Sequence, residues 1–138
     1  MKAAIRYYTR SGNTKKLADA IAEAVGVDAE TTSVPLTEDV DILFPRSSVY
    51  ANGVDDEVKK FIKGIGVRVG KVVNFSTAAL IKSTYKQVSK LLEEKRIPLA
   101  EEEFYCRGSF ALIHRGRPNT DDCNAAADFA RKILSREG

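Results

Sequence analysis

The 138-residue chain contains no tryptophan, one histidine, one methionine and two cysteines. With His114 alone and no Gly-x-Ser-x-Gly segment, a hydrolase triad has no basis here, and His114 reads as a solvated loop residue. Cys106 and Cys123 have neither CxxC spacing nor a Cys/His cluster around them, so no metal site and no thioredoxin-like pair is expected. They read as reduced packing residues. No residue is singled out as catalytic or as a metal ligand. No apolar run approaches the roughly 18 residues of a membrane span, and no signal-peptide pattern is present, so the expectation is a cytoplasmic protein with no membrane partner. The net charge of +3 is mild, and lysine and arginine are dispersed along the chain, which argues against nucleic acid as a partner. Two nucleotide-binding fingerprints are also missing: there is no Gly-x-Gly-x-x-Gly run and no Gly-Lys-Ser/Thr ending.

What is present is an ordinary globular composition, 43% apolar and 30% charged, which predicts one domain over residues 1–138. Strands are expected at residues 2–8, 28–34, 40–44 and 71–75, with a fifth within 103–113. Between them run helical stripes: Leu17, Ala20, Ile21, Ala24 and Val25; Val54, Val58, Phe61, Ile62 and Ile65; Tyr85, Val88, Leu91 and Leu92; Ala126, Phe129, Ala130 and Ile133. Gly26 is placed to end the first helix. Arg6 interrupts an otherwise apolar first strand, and a buried arginine needs a carboxylate or a route to water. Strands alternating with helices predict an α/β fold, a five-stranded parallel sheet of order 2-1-3-4-5 with helices on both faces. In that order the crevice lies between the first and third strands, at their carboxyl ends. Loops at residues 9–14, 45–53 and 76–82 converge on it.

The first of these loops carries the strongest signal. Thr9-Arg10-Ser11-Gly12-Asn13-Thr14 stands between a strand and a helix, where unpaired N–H groups and the positive end of the macrodipole favour an anion. Thr9, Ser11 and Thr14 add hydroxyl donors, and Gly12 permits close backbone approach. Three hydroxyls without an acid suit a phosphate dianion. The same residues also read as an N-capped turn.

This segment resembles the signature of the flavodoxin family: Thr or Ser, any residue, Thr or Ser, Gly, any residue, Thr, directly after the first strand. The likeness extends over most of the chain, through Asp41-Ile42-Leu43-Phe44, Ser47 and Val49-Tyr50, then Tyr105-Cys106-Arg107-Gly108-Ser109-Phe110 and Gly116-Arg117-Pro118 with Asp122. The length is that of its short-chain members. The resemblance implies a three-layer flavodoxin-like fold that binds flavin mononucleotide (FMN) and acts in electron transfer. By resemblance Thr9, Arg10, Ser11, Gly12, Asn13 and Thr14 surround the FMN phosphate. The ring would lie between the second loop, with Ser48, Tyr50, Ala51, Asn52 and Gly53, and the third, with Ser76, Thr77, Ala78 and Ala79. Tyr50 is then a stacking side chain, or else a loop anchor. The Asn52-Gly53 peptide is a candidate for a redox-linked flip, or else an ordinary turn.

The chain departs from the family at four points. It has Pro45-Arg46-Ser47-Ser48 where a Gly-Ser-Pro turn is common, no glycine in Ser76–Ala79, no tryptophan for the ring, and a net basic charge where electron-carrying flavodoxins are usually acidic. The partner implied is a reductase or acceptor protein, acidic if it docks by charge. Two alternatives stand beside the carrier. One is an NAD(P)H-dependent FMN quinone or flavin reductase, and the other a flavodoxin-like interaction or regulatory module without tight FMN.

Overall fold

The computed structural model describes residues 2–7, 13–50, 53–54, 56–78, 85–100, 104–107 and 120–137. Along the chain these form β1 (Ala3–Tyr7), α1 (Asn13–Val25), β2 (Ala29–Thr31), β3 (Val40–Tyr50), β4 (Gly53–Val54), α2 (Asp56–Lys63), β5 (Val69–Val72), β6 (Phe75–Ala78), α3 (Tyr85–Lys95), β7 (Phe104–Arg107) and α4 (Thr120–Glu137). The path across the sheet is β2-β1-β3-β6-β7, with β4 and β5 also paired to β3. All pairings are parallel except β3 with β4. Strand order reverses between β1 and β3, as expected for a doubly wound sheet.

Among the described residues the sheet therefore has seven strands where five are predicted, and one short pair is antiparallel. The segment expected as one strand at 71–75 is two pieces, β5 and β6, lying end to end along one edge of β3. Their register is continuous, with Leu43 opposite Val72 and Arg46 opposite Phe75. Carried through, that register sets Pro45 opposite Asn74, inside the gap between the two pieces. Proline has no N–H to offer a ladder, and the ladder breaks there. At the other end of β5 the backbones come unusually close: a Cβ on Gly70 would lie 2.7 Å from the Asp41 carbonyl oxygen, so only glycine fits.

Two cores sandwich the sheet. On one face α1 and α4 bury Ala18, Ile21, Ala126, Ala130 and Ile133 against Ile5, Tyr7, Ile42, Phe44 and Phe75. On the other, α2 and α3 bury Val58, Phe61, Ile62, Val88 and Leu92 against Ala4, Leu43, Val69 and Val72. The alternation along β1 and β3 assigns neighbours to opposite faces, which is why β1, apart from Arg6, and Ile42–Phe44 of β3 are apolar on both faces. Fully burying an isoleucine contributes about 1.5–3 kcal/mol. In the first core Phe44 tilts against Phe75 at 5.2 Å between ring centroids, and Phe129 meets Phe75 edge-on at 5.6 Å, joining sheet centre to α4. The buried stripe of α1 passes through Ala18 and Ala22, one step round from the predicted Ala20, while α2 buries Val58, Phe61 and Ile62 as predicted. Gly26 ends α1 at φ 78°, and the N–H groups of Gly26 and Val27 both donate to the Ala22 carbonyl, at 2.9 and 3.1 Å.

The β2-to-β3 crossover, residues 32–39, carries no helix. Arg6, 7% exposed, lies on the same face of β1 as Ala4 and braces this segment. Its Nε donates to the Val34 carbonyl at 2.8 Å, Nη1 donates to the Ile5 carbonyl at 3.0 Å, and Nη2 pairs with Glu30 at 3.3 Å. Burial lowers the guanidinium pKa from its ordinary value and Glu30 opposes that shift; arginine's ordinary value is so high that the group stays charged. The carboxylate partner expected for Arg6 is thus Glu30, its cross-strand neighbour in register.

Candidate functional site

The carboxyl ends of β1, β3 and β6 meet where the strand order reverses, so the candidate site is built on the connections that follow them. β1 ends at Tyr7 and α1 begins at Asn13, which sets the Thr9–Thr14 motif in the strand-to-helix connection. Asn13 and Thr14 are the first two residues of α1; Thr9, Arg10, Ser11 and Gly12 lie outside the described residues. The first turn of α1 holds no acidic residue. Its N–H groups and dipole are therefore not neutralised from within that turn, the electrostatic condition for receiving an anion.

The second stretch differs from its expected form. Residues 45–53 are predicted as a loop, but β3 runs on through Pro45-Arg46-Ser47-Ser48-Val49 to Tyr50. It is held on both sides: Arg6 and Tyr7 of β1 pair with Pro45 and Arg46, and residues 46–49 pair with Phe75–Ala78 of β6. The strand then turns back on itself, with Val49 opposite Val54 and Tyr50 opposite Gly53. Tyr50 and Gly53 are thus neighbours across a hairpin pair; Ala51 and Asn52 lie outside the described residues.

The third stretch is corrected in the same way. Ser76, Thr77 and Ala78 are predicted as loop and are strand, the second to fourth residues of β6. Central pairing overrides their weak local signal, since β3 and β7 flank β6 on either side. Ser48 stands opposite Thr77, and Thr77 in turn opposite Cys106, while Ser76 lies between Ser47 and Tyr105. The structure therefore brings Ser48 together with Thr77, and Tyr50 with Gly53. Ala79 lies outside the described residues. What the sequence reading missed is the pairing partner of each stretch, and Pro45 was the available signal, because it marks where the neighbouring strand breaks.

Among the described residues no group of three or more His, Cys, Asp or Glu side chains gathers as a metal site, and no helix is long and apolar enough to cross a membrane. Cys123 is partly buried against the α1/α4 core, in keeping with a packing residue. Two open clefts of about 270 Å³ each flank the helix-free crossover, one lined by Arg6, Glu30 and Glu38, the other by Pro35, Phe61 and Ile65.

No protein-family model matches the chain. An uncharacterized protein, MJ0298, of Methanocaldococcus jannaschii is 30% identical to it over 149 aligned positions, covering 97% of this chain and 99% of that protein. The chain belongs to the family of MJ0298. Among solved structures, a flavodoxin from the domain Archaea superposes with a TM-score of 0.77 at 14% identity, covering 99% of this chain and 98% of that one. Oxidised Flavodoxin 2 from Bacillus cereus gives 0.71 at 15% identity, with 99% of both chains covered. Rubredoxin oxygen:oxidoreductase from Desulfovibrio gigas gives 0.74 at 16% identity, with 98% of this chain matching 35% of that longer one. The fold of this MJ0298 relative is flavodoxin-like, which agrees with the resemblance carried by its first loop.

Proposed function

We propose that this protein binds FMN non-covalently and works in electron transfer as a single flavodoxin-like domain in the cytoplasm. The observation that carries the reading is the coincidence of the Thr9–Thr14 motif with the β1–α1 connection at the point where strand order reverses. The residues fit the group. A helix N-terminus without an acid in its first turn and with hydroxyls beside it suits a phosphate dianion. Thr9, Arg10, Ser11, Gly12, Asn13 and Thr14 would hold that phosphate. Ser48, Tyr50, Ala51, Asn52 and Gly53 on one side and Ser76, Thr77, Ala78 and Ala79 on the other would orient the ring. Paired strands at 46–50 and 75–78 give those positions a stiffer frame than free loops would.

Bound there, FMN supplies the electron chemistry. The chain's own contribution is to bind and orient it and to set the charge a partner meets. With a net charge of +3, the expected docking partner is an acidic reductase or acceptor.

Titrating the desalted protein with FMN, beside a Gly12→Leu variant, tests the reading. Saturable quenching of flavin fluorescence that the variant loses is the expected result. Absence of binding at micromolar FMN would refute it in favour of the interaction module, and rapid NAD(P)H oxidation by the pure holoprotein would instead mark a reductase.

A further inference from the structure

Among the residues whose burial is described, Arg6 is the one charged side chain that is buried, and its position on β1 faces the crossover that lacks a helix. A helix would satisfy its own backbone carbonyls; residues 32–39 form none, so their carbonyls turn to water or to donors elsewhere in the chain. Arg6 provides one, to Val34 at 2.8 Å, while also reaching the Ile5 carbonyl and Glu30. Next to it, the Tyr7 carbonyl accepts the Thr32 N–H at 3.0 Å. The last two residues of β1 are therefore both tied to the crossover, one by its side chain and one by its backbone. Tyr7 is the last described residue of β1, and the Thr9–Thr14 motif begins two residues further on.

The geometry points to Arg6 as a positioning residue for the phosphate end of the cofactor, acting through the backbone that leads into Thr9. This rests on the FMN reading above. An arginine fork holds Val34, Ile5 and Glu30 at once; a lysine, with one compact ammonium on a flexible stem, does not. Loosening the end of β1 means that the motif's donors have to be ordered when the phosphate binds, and that cost falls on the phosphate and not on ring stacking. Riboflavin has the ring without the phosphate, so it separates the two.

The experiment is a fluorescence titration of wild type, Arg6→Lys and Glu30→Gln with FMN and with riboflavin, each variant checked by thermal unfolding. Arg6→Lys is expected to lower FMN affinity about tenfold and riboflavin affinity by no more than about twofold. Glu30→Gln keeps the bonds to Val34 and Ile5 and is expected to lose about two- to threefold on FMN alone. Equal losses on both ligands, or none, overturn the inference and leave Arg6 as a brace of the fold. If Arg6→Lys fails to fold, Glu30→Gln decides, and an unchanged FMN-to-riboflavin ratio in it is the overturning result. Wild type without any preference for FMN over riboflavin refutes the phosphate site itself, a different outcome from a preference that neither variant alters.

Discussion

Helices α1 and α2 perform the same structural task on opposite faces of the sheet, and they end differently. Each buries one isoleucine completely, Ile21 in α1 and Ile62 in α2, both 0% exposed. At its outer ends α2 is electrostatically closed. Asp56 and Glu57 stand in its first turn, Lys60 and Lys63 in its last, and the pairs Lys59–Asp56 at 3.8 Å and Lys60–Glu57 at 3.7 Å run along its surface. Lys95 of α3 adds a donor to the Lys63 carbonyl at 3.1 Å. α1 has no acid in its first turn and no base in its last. Its carboxyl end is closed by Gly26, and no acid in its first turn opposes the positive end of its dipole. The inner faces of these helices hold the fold, and the dressing of their ends differs as the proposed phosphate site at α1 requires.

The inner faces should be interchangeable in cost. Ile21→Ala and Ile62→Ala are each expected to destabilise by about 2–5 kcal/mol, read from urea unfolding at constant m. A loss in only one of them would show that one core, not two, carries the fold. The amino ends should not be interchangeable. Lys15→Glu, which adds an acid to the first turn of α1, is expected to weaken FMN binding about three- to tenfold. Asp56→Lys in α2 should leave FMN affinity unchanged, and equal effects at the two helices would erase the functional distinction. The smallest effect is on stability: Asp56→Lys should cost about 0.5–1 kcal/mol, diminishing as salt is raised, because the group is exposed and screened.

Much of this was legible in local patterns. Of the stripe Val54, Val58, Phe61, Ile62 and Ile65, the middle three mark α2, while Val54 belongs to β4 and Ile65 lies past the helix end; Gly26 marks the end of α1. The Thr9–Thr14 motif stands out because strand, loop and helix follow one another within a few residues. Residues 45–50, 53 and 76–78 were misread as loop because proline, serine, glycine and alanine carry little strand signal, and the strand formers among them, Val49, Tyr50 and Thr77, are few. Arg6 could be recognised as a problem in the sequence, but not as a solution, since its partners Glu30 and Val34 are 24 and 28 residues away.

By itself, the sequence determined which segments are helix, where the main strands begin, and which connection to propose as a phosphate site, because each depends on residues within a turn or two of one another. Tertiary structure decided the rest. It extended β3 to Tyr50 by pairing it on both sides, split its neighbour opposite Pro45, and gave Arg6 its two distant acceptors, Val34 and Glu30. Those outcomes turn on which backbone groups face each other across the sheet, and a proline or arginine takes its meaning from the strand beside it.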